Sequence, residues 1–277
     1  ISYERAAEYD PNSAWYWINQ VEPLLALGRA EDALDAVEQA LKVGPESDTA
    51  WARKGQVLRR LERHEEALAA YDRALRLAPD YAWAWNGKGL TLKALGRVPE
   101  ALEAFQQAAL HQPGEVWHWY NQAEMLVEMG RYQEALTPTQ QATRIAPGHP
   151  YSWAKLGQVL RYLERYEDAL AAYDRALALD PHSAWAWARK GRTLRLLGRY
   201  DEALAAYEAA LALQPGNAAI HSNRGNILMD MGHLAEARAA FERALELDPG
   251  MASAFDNLLW CCCYDPTLDR AAVLAAH

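Results

Sequence analysis

Only three cysteines occur, and they are consecutive, Cys261, Cys262 and Cys263. Consecutive residues cannot share one helix face, so they offer neither a disulfide framework nor a zinc spacing. They read as small buried hydrophobes of a reducing, cytoplasmic compartment. No apolar run reaches the ~18 residues of a membrane span. No GxGxxG or GxxxxGK loop is present to cradle phosphates. His111 and His118 are seven apart on either side of a proline, so they make no metal pair. β-Branched residues are few, and 16 Gly and 13 Pro are modest numbers for a chain of 277 residues. This composition disfavours sheet and favours helix. Positive charge is also in deficit, with a net charge of −9. That balance opposes non-specific attraction to nucleic acid or to an anionic membrane unless basic residues are gathered locally.

What the chain does have is a period. Pro11, Pro45, Pro79, Pro113, Pro147, Pro181, Pro215 and Pro249 stand 34 residues apart. Alanines recur 22 residues after each of the first seven (Ala33, Ala67, Ala101, Ala135, Ala169, Ala203, Ala237), and again 29 after (Ala40, Ala74, Ala108, Ala142, Ala176, Ala210, Ala244). A tryptophan lies six after the first six prolines (Trp17, Trp51, Trp85, Trp119, Trp153, Trp187), and a small residue follows it four later in most units. A leucine follows that by three, so the offsets lie on one helix face, with the tryptophans expected in the core. Gly28, Gly96, Gly130, Gly198 and Gly232 stand where that helix should end, with Glu62 and Glu164 in the same place in two units. A second helix then runs through both alanines until the next proline stops it. Pro23 and Pro138 fall inside helices and should kink them. Acidic pairs such as Glu65-Glu66 and Glu167-Asp168 sit where second helices begin, where negative charge suits the helix dipole.

Each period is therefore a helical hairpin with one apolar side that only a stacked neighbour can cover. The pattern W-x3-G-x2-L, A-x3-Y/F-x2-A and P closely resembles the tetratricopeptide repeat family over residues 1–254. The resemblance implies an all-α, right-handed superhelical solenoid. Residues 1–10 are expected to be the end of an upstream repeat, 11–248 seven tandem units, and 249–277 a capping helix with a junction segment. In that family the first helices line a concave groove that binds protein or peptide.

The outward face of the first helices is where function should lie, since the inward face is already spoken for. Of the eight positions four residues after a periodic proline, five are aromatic: Trp15, Trp83, Trp117, Tyr151 and Trp185. Further offsets on that face add Asn19, Arg53, Arg59, Lys93, Asn121, Lys155, Arg161, Arg189, Arg192, Arg195 and Asn223, against a few acids, chiefly Glu22, Glu124, Glu128 and Asp230. An acidic protein thus carries a basic, aromatic stripe, suited to stacking and to charge-assisted contacts with an extended acidic or phosphorylated polypeptide. Asparagines at one of these offsets could hold a peptide backbone, but Arg53, Gly87, Lys155 and Arg189 interrupt them.

A longer period of 102 residues underlies the first. WARKGQVLRRLERHEEALAAYDRAL (Trp51 to Leu75) is nearly repeated as WAKLGQVLRYLERYEDALAAYDRAL (Trp153 to Leu177), as though three repeats had been duplicated together. After Phe255 the alanine ladder ceases. Asn257, Leu258, Leu259, Tyr264, Asp265, Pro266 and His277 resemble the junction in bacterial relatives of the O-GlcNAc transferases, where the last repeat passes into the glycosyltransferase region. That resemblance implies a substrate-recognition arm of such an enzyme. A free-standing scaffold is the alternative, and a nucleic-acid binder using aromatic stacking ranks last. No catalytic residue, metal ligand or cofactor site is expected within these residues.

Overall fold

The computed structural model describes residues 13–264, and among them every regular element is an α-helix. They divide between two compact units, Ile1–Ile145 and Ala146–His277. The first holds α1 (Ala14–Ala26), α2 (Ala30–Val43), α3 (Asp48–Arg60), α4 (His64–Leu77), α5 (Ala82–Ala94), α6 (Val98–His111), α7 (Val116–Glu128) and α8 (Tyr132–Ile145). The second holds α9 (Pro150–Tyr162), α10 (Tyr166–Leu179), α11 (Ala184–Leu196), α12 (Tyr200–Leu213), α13 (Ala218–Asp230), α14 (Leu234–Leu247) and α15 (Ala252–Tyr264). Within each unit odd-numbered first helices pair with the even-numbered second helices that follow them, and each second helix packs on the next first helix.

The turn inside each hairpin is closed by backbone. In the second repeat the Arg63 N–H reaches back to the Leu58 carbonyl at 2.9 Å, and Arg97 repeats this with Leu92 at 2.9 Å. This closure needs one residue in the left-handed region, which glycine enters without a Cβ penalty. Gly96 supplies it at φ +71, but Glu62 and Glu164 are held there at φ 59. The next residue is usually an arginine that pairs with the acid three later, as Arg63 with Glu66 and Arg165 with Asp168. The acids at the starts of second helices thus have a side-chain partner as well as the dipole.

Packing across a hairpin is ring against glycine. Tyr71, Phe105, Tyr173, Tyr207 and Phe241 are fully buried on second helices. A Cβ at Gly55, Gly157 or Gly191 would lie 2.9 Å from the facing tyrosine, and one at Gly89 or Gly225 would lie 2.6 or 2.8 Å from the phenylalanine. Where the small position is Val21 or Ala123, the second helix presents Val37 or Thr139 instead of a ring. Volume is conserved across the pair, as a close-packed core requires. Both alanine ladders are buried in the same seams. α1 and α8 run on through Pro23 and Pro138, and in α8 the Thr139 hydroxyl donates to the Ala135 and Leu136 carbonyls at 3.0 and 2.9 Å.

The periodic tryptophans sit at the margin of the core rather than deep within it: the rings are half-buried, and Trp51, Trp85 and Trp187 pack against the buried clusters. From the second repeat to the sixth, the indole N–H donates to the carbonyl of the proline six residues before it. Trp51 bonds Pro45 at 2.8 Å, Trp85 bonds Pro79 at 2.8 Å, and Trp119, Trp153 and Trp187 follow suit. His221 makes the same bond to Pro215 at 2.9 Å. In three repeats a lysine three residues on covers the ring and reaches the preceding second helix, as when Lys88 lies 5.3 Å from the Trp85 centroid and pairs with Asp72 at 2.7 Å. An indole N–H must find an acceptor when buried, so a ring at the helix start, facing a free carbonyl, sits better half-covered than deep. The inner position belongs to the preceding residue, small in most repeats: Ala50, Ala84, Ser152, Ala186 and Ala254 are buried there, with His118 standing among them.

Candidate functional site

In the first unit several outward side chains of α1, α3, α5 and α7 are held by acids or amides, while Arg59 has no carboxylate partner among the described residues. The Arg53 guanidinium lies 4.8 Å from the centroid of Trp83 and donates to the Glu22 carboxylate and to Gln56 at 2.9 Å. Gln56 also donates to Glu22 at 3.0 Å, and these bonds, led by Gln56, hold the Glu22 carboxyl below its usual range. Lys93 pairs with Glu124 at 2.8 Å, and Asn121 donates to Asn86 at 3.0 Å. Burial pushes the Tyr71 phenol up to about 12, against the charge and hydrogen bonding of Arg59. Trp15 and Trp117 stand 68% and 57% exposed, while Asn19 is half-buried.

The second unit carries the same residue types with fewer acids. Lys155 lies over both Tyr151 and Trp185, 5.2 and 5.8 Å from the centroids, and Arg189 lies 5.3 Å from Trp185. Arg161 is stacked on Tyr162 at 4.2 Å and is only 6% exposed. Arg195 pairs with Asp230 at 2.6 Å. Among the described residues no carboxylate pairs with Lys155, Arg161, Arg189 or Arg192. Burial pushes the phenols of Tyr173 and Tyr207 up to about 12, opposed in Tyr173 by Arg161 and Arg189 and in Tyr207 by Arg192, Arg195, Arg189 and Arg161. At Tyr162 burial also raises the pKa, but the Gln158 hydrogen bond with the Arg161 and Arg189 charges outweighs it, and the phenol lies below its ordinary value. Between α11 and α13 is a cleft of about 320 Å³ lined by Trp185, Arg189, Arg192, Gln214, Asn217 and Asn223.

Sequence models described as tetratricopeptide repeat match residues 19–82 and 86–150, 150–183, 172–205 and 218–251, and one described as TPR repeat matches 191–232. Together they take in well over half of the chain. It belongs to the tetratricopeptide repeat family. No curated protein sequence matches it. Among solved structures it is similar to a chain of the APC/C hetero-tetramer Cut9-Hcn1, with a TM-score of 0.67 and 19% identity over 94% of this chain and 51% of that one. A tetratricopeptide repeat protein from Parabacteroides merdae gives 0.66 at 14% identity, covering 90% of this chain and 98% of that one. The C-terminal part of a TPR repeat-containing protein from Cytophaga hutchinsonii gives 0.67 at 16%, covering 87% and 99%. The chain spans about half the length of the first of these, and at such identities the likeness concerns the fold.

Within the tetratricopeptide repeats the stripe has a second layer that reading the outward face alone missed. The buried phenols of Tyr71, Tyr173 and Tyr207 feel the charge of these cations, and a signal for them does exist in the sequence. Repeats with arginine fourteen after the proline (Arg59, Arg161, Arg195) carry tyrosine twenty-six after it, whereas those with Lys93 and Met229 carry Phe105 and Phe241. Hydroxyl and guanidinium thus change together. In the last helix Cys261 and Cys262 are buried, Cys263 is exposed, and Asn257 donates to Asn226 at 2.8 Å. Among the described residues no helix is long and apolar enough to cross a membrane, and no three His, Cys, Asp or Glu side chains gather as metal ligands would.

Proposed function

We propose that this chain is a non-catalytic, cytoplasmic interaction module that takes an extended acidic polypeptide along the outward face of its first helices. The observation that carries this reading is in the second unit. There Lys155, Arg161, Arg189 and Arg192 share a face with Tyr151 and Trp185 and pair with no carboxylate among the described residues. Cations stacked on rings keep their charge for a partner while the rings supply apolar contact. In the first unit the exposed rings of Trp15 and Trp117 offer contact area, while Arg53 and Lys93 are already held by Glu22 and Glu124. We place the repeats at 11–248, with 1–10 and 249–277 flanking them.

The resemblance after Phe255 supports a finer version, in which the repeats present substrates to a nucleotide-sugar-dependent transferase. Asn257, Leu258, Leu259 and Tyr264 of that resemblance lie in α15, while Asp265, Pro266 and His277 fall outside the described residues.

Retention on beads carrying degenerate 12-residue peptides tests the reading. Asp/Glu-rich peptides should retain the chain, Lys/Arg-rich ones should not, and retention should fall with salt. Lys155→Ala combined with Trp185→Ala should weaken retention at least tenfold with little change in melting temperature. Equal retention on both kinds of bead, or full retention of the double variant, refutes it.

A further inference from the structure

The two copies of the 102-residue period carry different chemistry at matched positions. Arg59 corresponds to Arg161, Tyr71 to Tyr173 and Arg53 to Lys155, but Gly87 corresponds to Arg189 and Leu90 to Arg192. In the first copy Gly87 lies against the Tyr71 ring, which a Cβ there would approach to 2.5 Å. In the second copy the same helix position carries a guanidinium instead. Two cations have been gained, and neither has gained an acid.

A buried guanidinium stands close to them on α9. Arg161 is 6% exposed, and among the described residues its Nε and Nη2 meet no acceptor, its polar neighbour being the Tyr173 phenol. A buried charged donor left without an acceptor is costly, and a site that keeps several together fits an external acceptor with multiple oxygens. Arg189 links this guanidinium to the surface. Its charge acts with that of Arg161 on Tyr162, Tyr173 and Tyr207, and it lines the cleft between α11 and α13 beside Arg192 and Asn223.

We propose that this cleft seats a phosphoryl group carried by a side chain of the bound polypeptide, with Arg189 and Arg192 donating to its oxygens and the charge of Arg161 acting from the neighbouring helix α9. A phosphoryl group brings close to two charges and three acceptor oxygens, and forked guanidinium donors match that geometry. One carboxylate offers a single charge and two oxygens, which leaves part of this donor set unmet. The inference rests on the polypeptide-binding reading above.

The test uses the full chain and three matched bead libraries of degenerate 12-residue peptides, with phosphoserine, glutamate or serine fixed at the central position. Phosphoserine beads should retain the chain at least tenfold more tightly than glutamate beads, and millimolar inorganic phosphate should compete. Arg189→Ala with Arg192→Ala should abolish that preference, weakening retention on phosphoserine beads at least tenfold more than retention on Asp/Glu-rich beads, which also loses two of its cations. Arg161→Met should do the same where it folds, and the pair at 189 and 192, whose side chains reach the cleft, decides the matter where it does not. Equal binding to phosphoserine and glutamate, or a preference that survives the double substitution, overturns this proposal and leaves acidic-peptide binding standing. Failure to retain on any acidic bead overturns both.

Discussion

Glu62 and Glu164 occupy turns that five other repeats close with glycine, at φ 59 in both cases. Replacing each by glycine should stabilise the protein, and the size follows from the local geometry. No atom lies within 4 Å of a Cβ built at Gly28, Gly96, Gly130, Gly198 or Gly232, so a side chain in this turn meets no steric obstacle. Neither glutamate makes an ion pair among the described residues, and both are exposed. The penalty is therefore in the backbone, about 1–2 kcal/mol for an L-residue in the left-handed region. Glycine gives back about 0.5–1 kcal/mol through the greater freedom of its unfolded chain. Each substitution should thus gain on the order of 0.5–1 kcal/mol, taken as the difference of those two effects. Glu62→Gly and Glu164→Gly lie in different units, so their effects should add. Urea unfolding followed by helical circular dichroism reads this as a shift in midpoint at constant slope. Gly96→Ala is the mirror experiment and should lose stability. A loss on both glutamate substitutions, with Gly96→Ala also losing, would show that these side chains hold something the turn geometry does not account for.

Gly87→Ala should destabilise the first unit by about 1–3 kcal/mol, because its Cβ would lie 2.5 Å from the Tyr71 ring, whereas Gly114→Ala, with nothing within 4 Å, should change urea stability little. His118 stands in a ladder of small buried residues with both ring nitrogens lacking a partner, and burial holds its pKa below the usual value, against a smaller upward pull from Glu115. The unfolded chain then binds the proton more readily. The contribution of neutral His118 is complete above about pH 6.5 and is lost as pH falls below it. His118→Ala should flatten the decline between pH 7.5 and 5.5, and an unchanged decline in urea midpoints would assign it to other groups.

The repeat, its helices and its turns were legible because each is written many times over. Proline, glycine and alanine mark the same backbone events at the same offsets, and a stacked hairpin has few other ways to bury them. The depth of the tryptophans was not legible, because periodicity alone cannot tell a fully buried ring from one held at the core's margin by its N–H. The carbonyls they bond belong to prolines that read only as stops. The outward face was visible as a composition, but its pairing was not. Nothing in the local sequence says that Arg53 turns to Glu22, 31 residues away, while Arg189 turns to no acid. That distinction depends on which neighbour stacks beside which, and it separates cations held within the face from cations with charge to spare.

The bond from indole to proline carbonyl spans six residues, so every such repeat fastens its first helix without help from any other. A segment with its own fastening can be copied, singly or in threes, and appended without redesign of what holds it shut. Inheritance by block copying then leaves the outward positions free to diverge, since no fastening depends on them. Gly87 and Arg189 show the outcome: two descendants of one position, one serving the interior and the other facing whatever arrives.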